Sequence, residues 1–344
     1  MQDLEPEVHG GVPGNRTQPG APRAKRPCAR PRRRPRPSSR RGRFSMTALL
    51  AFCSGLALAP GAASAHAGHA HPPTLATAWS LTPWLLFPLA AWVLLYAIGL
   101  ARLWRRAGAG AGAGAEGVAA AATGVLVLLL ATIWPLDRYG EWSLAAHVAQ
   151  HMLLIAFVPP LLLAGRPLAV VAHALPARLA RGLHHSLGAA SSRMADALIA
   201  ASVAHGIVLG AWHLPAATTA ALDSDPVHWA MHGTFLASGL WLWAAMWKRL
   251  RDPHLGAGAG VVAMLAVMMQ MGFLGALLTF ATRPLYPVYA GRAPRLGLDA
   301  LADQQLAGVL MWVPACIPYL AGATWLLWHG FARLARRDRG SSPS

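Results

Sequence analysis

Charged residues are scarce in this sequence. Asp, Glu, Lys and Arg make up 12% of its 344 residues, whereas a soluble domain carries about a quarter. Hydrophobic residues make up 55%, and beyond residue 78 long apolar runs recur with few charges between them. This composition excludes a large soluble core and predicts a membrane protein.

Cysteine is almost absent, with three residues at Cys28, Cys53 and Cys316. The first two lie in segments that we expect to be removed or disordered, which leaves Cys316 alone in an apolar run. No disulfide framework and no Cys-x-x-Cys or Cys-x-x-x-Cys metal motif can form. The sequence therefore excludes a thioredoxin-like copper chaperone.

Carboxylates are also few within the apolar runs. Asp196 and Asp303 fall at the ends of predicted helices, and the sequence has no Walker loop and no His-Glu-x-x-His motif. A proton or ion pump would usually need carboxylates buried in the membrane. We therefore predict neither a pump nor soluble-enzyme chemistry, and expect no catalytic turnover.

The first 45 residues are basic and rich in proline. They hold twelve Lys or Arg and three acidic residues, so that +9 of the net charge of +17 lies there. A basic tail of this kind could contact nucleic acid. Because it has almost no aromatic residues and no periodicity, we interpret residues 1–45 as a disordered leader and predict no nucleic-acid partner.

A secretory signal follows the leader. Basic residues precede the apolar run 48–58, and Ala63-Ser64-Ala65 matches a small-x-small cleavage site. We predict a signal peptide over residues 46–65 and a His-rich periplasmic segment over residues 66–78. An N-terminal anchor that is not cleaved is the alternative.

Seven apolar segments come next, each near the roughly twenty residues that cross a bilayer. They lie at residues 79–101, 117–136, 143–164, 194–214, 227–247, 258–281 and 305–331. We predict an all-α integral membrane protein with a seven-helix bundle over residues 79–332 and a basic cytoplasmic tail over 333–344. The Gly/Ala tract 107–114 is a predicted linker, and residues 166–193 form a predicted interfacial helix.

Prolines interrupt two of the predicted spans. Pro159 and Pro160 are adjacent in the third span, and Pro314 and Pro318 lie in the seventh. Because proline lacks the backbone N–H and clashes with the preceding turn, we expect these spans to bend or break there.

Basic residues orient the bundle. With the mature N-terminus outside, fourteen Lys or Arg that flank the spans fall inside and four fall outside. The positive-inside rule therefore favours an outer N-terminus and a cytoplasmic C-terminus in a bacterial inner membrane. The four outer residues are Arg138, Arg283, Arg292 and Arg295.

This orientation brings five histidines from three predicted spans into one outer layer. His147 and His151 are spaced i, i+4 in the outer half of the third span. His228 and His232 repeat that spacing in the first turns of the fifth span, and His213 lies near the outer end of the fourth. Two pairs at matched depth predict a metal or haem site in this layer.

Methionines and further histidines extend the set. Met268 and Met271 lie in the sixth span, and the predicted mature N-terminus carries His66, His69 and His71 on the same side. Imidazole and thioether suit copper, and thioether favours Cu(I). The sequence therefore predicts a copper site, although a membrane histidine can also just bond a neighbouring helix, and methionines can simply fill a core.

Four motifs carry a likeness to a known family. They are His147-Val-Ala-Gln-His-Met with the chain up to Pro167, Ala211-Trp-His-Leu-Pro215 with the His228-x-x-x-His232 helix, Gly275–Pro287, and Asp303-Gln-Gln-Leu with the chain up to Pro314. Together they resemble the CtaG family of cytochrome c oxidase assembly factors, over about residues 79–331. Residues 216–221 lack the Tyr expected there, and Ala315 stands where Gly is usual. The resemblance implies a role in maturing haem–copper oxidases of the caa type, with an oxidase subunit as partner and metal delivery as the task.

Four functions remain open at this point. In the first, the N-terminal histidines capture copper outside, and it passes to the five-histidine layer with the two methionines as transfer ligands, in an assembly factor. In the second, His151 and His232 hold a haem in a membrane redox protein. The third is a copper permease, for which His205 at mid-membrane and the methionine run Met264–Met271 would supply deeper ligands. The fourth is a scaffold that holds the oxidase subunit and binds no metal.

Overall fold

The computed structural model describes residues 71–340 apart from 253–254. The predicted leader, the signal peptide and the histidines His66 and His69 all precede residue 71 and lie outside the described residues. Within the described part the chain is helical and contains no strand. The prediction of an all-helical membrane protein is confirmed at this level.

The α-helices follow one another with short connections. They are α1 Pro83–Ala107, α2 Ala115–Thr132, α3 Leu136–Gly140, α4 Leu144–Met152, α5 Val158–Ala164, α6 Pro167–Ala172, α7 Ala177–Asp196, α8 Leu198–Trp212, α9 Pro215–Asp223, α10 Asp225–Arg251, α11 Ala257–Thr279, α12 Pro287–Ala290, α13 Ala300–Trp312 and α14 Cys316–Gly340. A π-helical turn, Leu153–Phe157, joins α4 to α5, and a 3₁₀ turn, Ala293–Leu296, precedes α13. The predicted interfacial segment 166–193 forms α6 and most of α7.

Five helical stretches are long and apolar enough to cross a bilayer. They are Pro83–Ala107, Ala115–Gly140, Leu144–Ala164, Ala257–Thr279 and Ala300–Arg333. Helices α8 and α9 meet at 75° and make a sixth span if they cross together. Helix α10 has 27 residues but is less apolar, and its buried residues include both of its histidines. The count of seven spans and the orientation of the termini stay predictions.

The two ends of the bundle differ in chemistry. We name the end with the last turns of α1 and α10 the basic end, because its side chains include Arg102, Arg105, Arg106, Lys248, Arg249, Arg251 and Arg333. At this end Lys248 pairs with Asp196 at 2.5 Å. The opposite end, with the start of α4, the end of α8 and the start of α10, is named the histidine end.

The α4–α5 rod changes its hydrogen-bond register at the π-turn, directly below its two histidines. Pro159 has no N–H to offer the carbonyl of Ile155 four residues earlier. The hydroxyl of Tyr319, from α14, lies 3.4 Å from that carbonyl and donates to it. The helix continues through the two prolines as one span, Leu144–Ala164, and its register changes in the π-turn before them, a feature that is frequent at functional sites.

Helix α10 packs closely against this π-turn at Gly239. A Cβ atom at Gly239 would lie 2.6 Å from the Ile155 carbonyl oxygen and 2.7 Å from Cγ of Pro159. The absence of a side chain is what allows the two backbones to approach this closely. The contact sets the depth of α10 relative to α4, two helical turns below His232.

Candidate metal centre

Five buried imidazoles meet at the histidine end, and each is less than one-tenth exposed. The ring centroids of His147 and His151 lie 4.3 Å apart, and those of His228 and His232 lie 4.2 Å apart. His151 joins the two pairs, since its centroid is 6.0 Å from that of His232. It also joins the fifth histidine, His213, whose centroid is 5.8 Å away. The structure thus brings all five histidines into one cluster; their role as metal ligands stays a prediction.

A carboxylate that the sequence analysis missed completes this cluster. Asp137 in α3 is fully buried. Its Oδ1 accepts a hydrogen bond from Nε2 of Gln150 at 2.9 Å and lies 3.0 Å from Nε2 of His228. Ligand atoms of Asp137, His228 and His232 all lie within 4.8 Å of one another. The available signal was position, because Asp137 ends the second apolar run just before the histidine-bearing span.

Several ring nitrogens of the cluster have no hydrogen-bond partner among the described residues. These are both ring nitrogens of His151 and Nε2 of His213. Nδ1 of His213 lies 2.7 Å from the carbonyl oxygen of Leu209, which can only accept, so Nδ1 carries the proton. In the neutral ring, Nε2 then keeps its lone pair for another ligand. A buried polar atom without a partner costs about 1–3 kcal/mol, so a bound cation would stabilise this arrangement.

The start of α4 is held by a carboxylate from α13. Asp303 accepts hydrogen bonds from Oγ of Ser143 at 2.6 Å and from the backbone N–H groups of Leu144 at 2.7 Å and Ala145 at 3.3 Å. These N–H groups have no partner within the helix, and the negative charge complements the positive end of the helix dipole. Asp303 therefore fixes the position of α4 and of its two histidines.

Replacement of Asp303 by asparagine should test this anchoring. We expect Asp303→Asn to lower the free energy of unfolding by about 1–3 kcal/mol, because one amide oxygen replaces a carboxylate that accepts three bonds. Thermal unfolding of the detergent-purified protein measures the change. The matched control is Asp223→Asn, at an exposed carboxylate. Equal unfolding temperatures for the two variants would contradict the anchoring role.

Two tyrosines of the loop between α11 and α13 cover the cluster. The hydroxyl of Tyr286 donates to the carbonyl oxygen of His213 at 2.6 Å, and that of Tyr289 donates to the carbonyl oxygen of Gly140 at 2.7 Å. Burial raises the pKa of Tyr286 to about 12 and raises the pKa of Tyr289 well above its ordinary value. Both phenols therefore stay protonated donors. The sequence analysis gave these tyrosines no role.

This loop is fastened by the two glutamines that follow Asp303. Oε1 of Gln304 accepts from the backbone N–H of Leu285 at 2.5 Å, and Nε2 of Gln305 donates to the carbonyl oxygen of Ala281 at 3.3 Å. The Asp-Gln-Gln motif at the start of α13 thus positions both α4 and the tyrosine loop. The hydrogen bonds that these three side chains make give a physical reason for the Asp-Gln-Gln sequence.

Comparison with known proteins identifies the family. The cytochrome c oxidase caa3 assembly factor family, Caa3_CtaG, matches residues 94–333. The chain belongs to this family. The resemblance indicated by the four motifs is confirmed, and the matched range contains the whole cluster with Asp137 and Asp303. A cytochrome c oxidase is therefore the partner of this assembly factor. No curated protein and no solved structure matches the chain.

The two predicted methionine ligands of this caa3 assembly factor lie deeper than the histidines. Met271 is fully buried and Met268 is partly buried in the core. Their neighbour Gln270 donates to the carbonyl oxygen of Gly206 at 2.7 Å. Because Gly206 precedes His213 by seven residues on α8, this level lies roughly 10 Å below the cluster.

The deeper histidine of the assembly factor has a protein partner. Nε2 of His205 lies 3.0 Å from the hydroxyl of Tyr319, and both side chains are buried. This is the contact between neighbouring helices that a single membrane histidine commonly makes. It favours a structural role for His205 over that of a ligand on a transport path.

The chain before α1 of the assembly factor runs beside the cluster. His71 is exposed, and the segment after it is bound through Leu75 and Ser80. The indole N–H of Trp134 donates to the carbonyl oxygen of Leu75 at 2.8 Å, and the N–H of Ser80 donates to that of Ile133 at 2.8 Å. Asp137 of the cluster follows Trp134 by three residues. The chain before α1, which is bonded to Trp134, therefore lies at the histidine end.

Proposed function

We propose that this assembly factor binds copper in the histidine cluster and delivers it to the haem–copper subunit of the caa3-type oxidase. The observation that carries the proposal is the convergence of five buried imidazoles from separate helices, with ring nitrogens of His151 and His213 left without partners. Imidazole is a preferred ligand of copper. Multiple neutral ligands at short spacing allow an ion to be held and still be given up to a partner.

The packing around His151 favours an ion over a haem. Its ring centroid lies 4.3 Å from that of His147 and 4.3 Å from that of Phe235. A porphyrin between His151 and His232 would have to displace these rings. We therefore rank bis-histidine haem binding below copper binding.

The route that we propose begins on the outer side of the bacterial inner membrane. The positive-inside rule places the basic end in the cytoplasm and the histidine end at the periplasmic face. His66, His69 and His71 would capture copper there, because the segment after His71 is fastened next to the cluster. Met268 and Met271 lie roughly 10 Å deeper, so the five histidines and Asp137 would carry out the transfer.

Metal and haem analysis of the protein purified from its native membrane tests this proposal. We expect stoichiometric copper and no Soret absorption. A second measurement is the copper content of the oxidase from cells that lack the assembly factor, where we expect haem to be retained and copper to be lost. Haem without copper would favour the redox protein, and neither cofactor together with a normal oxidase copper content would leave only a scaffold.

A further inference from the structure

The two halves of the cluster differ in charge and in hydrogen bonding. The carboxylate end, defined as Asp137, His228 and His232, contains a buried acid. The imidazole end, defined as His147, His151 and His213, contains three rings, and among the described residues no carboxylate hydrogen-bonds to them. His151 and His232 link the two ends, with their ring centroids 6.0 Å apart.

The carboxylate end suits a divalent cation. Its three ligand atoms already lie within 4.8 Å of one another. Oxygen and imidazole nitrogen together are common ligands of Zn²⁺ and Cu²⁺. A carboxylate at this depth is costly unless an opposite charge compensates it. Gln150, which is not one of the three ligands, holds the Asp137 side chain in place for such an ion, as outer partners do at metal sites.

The imidazole end suits a monovalent cation. Three neutral ligands add no negative charge, so they do not compensate the charge of the bound ion in this low-dielectric environment. The cost of burying a charge rises steeply with its magnitude, which favours Cu⁺ over a divalent ion there. Both ring nitrogens of His151 and Nε2 of His213 have no other partner to lose among the described residues.

We propose that the cluster holds two separate metal positions: a divalent-ion position at the carboxylate end and a Cu⁺ position at the imidazole end. This inference rests on the proposed function and names the ions that the site takes. The two positions take different ions, and no electron passes between them.

The test uses the full chain in detergent, stripped of metal, with Co²⁺ and Cu⁺ as probes. Co²⁺ binding is read from its d–d absorption, and Cu⁺ binding is read without oxygen against a competing chelator. We expect Asp137→Asn to weaken Co²⁺ binding by more than about 100-fold, since loss of an outer partner alone costs about 10- to 100-fold, and to leave Cu⁺ binding unchanged. We expect His213→Ala to do the reverse. Saturation with Cu⁺ should leave the Co²⁺ spectrum in place.

Control variants separate ligand loss from misfolding. His173→Ala removes an exposed histidine at the basic end and should change neither affinity. Because His213 also bonds the end of α8, His147→Ala serves as the second variant of the imidazole end, and His228→Gln does so for the carboxylate end. Unfolding temperatures are compared for all of them.

Two results would overturn the inference. One is that each variant weakens the binding of Co²⁺ and of Cu⁺ to the same extent. The other is that Cu⁺ releases one Co²⁺ from the wild type for each Cu⁺ bound. Either would mean a single position, with the proposed copper function intact. Failure of the wild type to bind either ion would overturn the proposed function as well, so the two failures are distinguishable.

Discussion

The double variant His151→Ala/His232→Ala is expected to lose the copper bound in the cluster. These two rings connect the halves of the cluster, and each belongs to a different one. Loss of an outer partner of a metal ligand costs about 10- to 100-fold in affinity, so loss of one ligand from each half should exceed about 100-fold. Copper per protein should fall to what the N-terminal histidines alone retain, and copper in the oxidase of cells that carry only this variant should fall to background.

The controls for this variant lie in the same chain. His173→Ala/His329→Ala removes two histidines of the basic end and should keep the copper content of the wild type. His151→Gln/His232→Gln retains polar side chains of similar length, and it should fold and still lose copper. If copper stays stoichiometric in both the alanine and the glutamine variants, the transmembrane site is refuted.

Gly239→Leu is expected to prevent α10 from seating against the π-turn. A Cβ at this position already lies 2.6 Å from a backbone oxygen, and a backbone atom cannot rotate away as a side chain can. Overpacking of this kind costs about 1–3 kcal/mol and occasionally more. We expect a loss of folded protein from the membrane fraction, and any folded remainder should bind copper weakly because α10 carries two of the five histidines.

Gly233→Leu is the matched control, since it lies on the same helix. A Cβ at Gly233 meets no atom within 4 Å. The yield and unfolding temperature of this variant should match those of the wild type. Equal behaviour of the two leucine variants would show that the close approach at Gly239 is not a constraint on folding.

Features that repeat along the chain could be predicted from the sequence. Apolar runs gave most of the long helices, and the i, i+4 spacing gave the two histidine pairs their shared faces. Depth followed from counting residues along each span, which was enough to bring His213 to the level of the pairs. Each of these inferences depends on residues close together in the sequence.

The contacts that complete the site join residues far apart in the sequence. Asp137 meets His228 across 91 positions, and Asp303 caps α4 across 160 positions at Ser143. No periodicity encodes such pairs, and a carboxylate at the end of an apolar run looks like an ordinary interfacial charge. The two methionines show the reverse difficulty, because ligand chemistry alone suggested a role that their depth does not favour.

The burial of the cluster has a consequence for timing. All five rings and Asp137 are nearly sealed from water, and the phenols of Tyr286 and Tyr289 bond to the backbone above them. An ion held there would exchange with a soluble chelator only when part of this enclosure opens, and these two bonds would slow that opening. Affinity and residence time are thus uncoupled, and a docking oxidase that pulled the phenols aside would determine the moment of release.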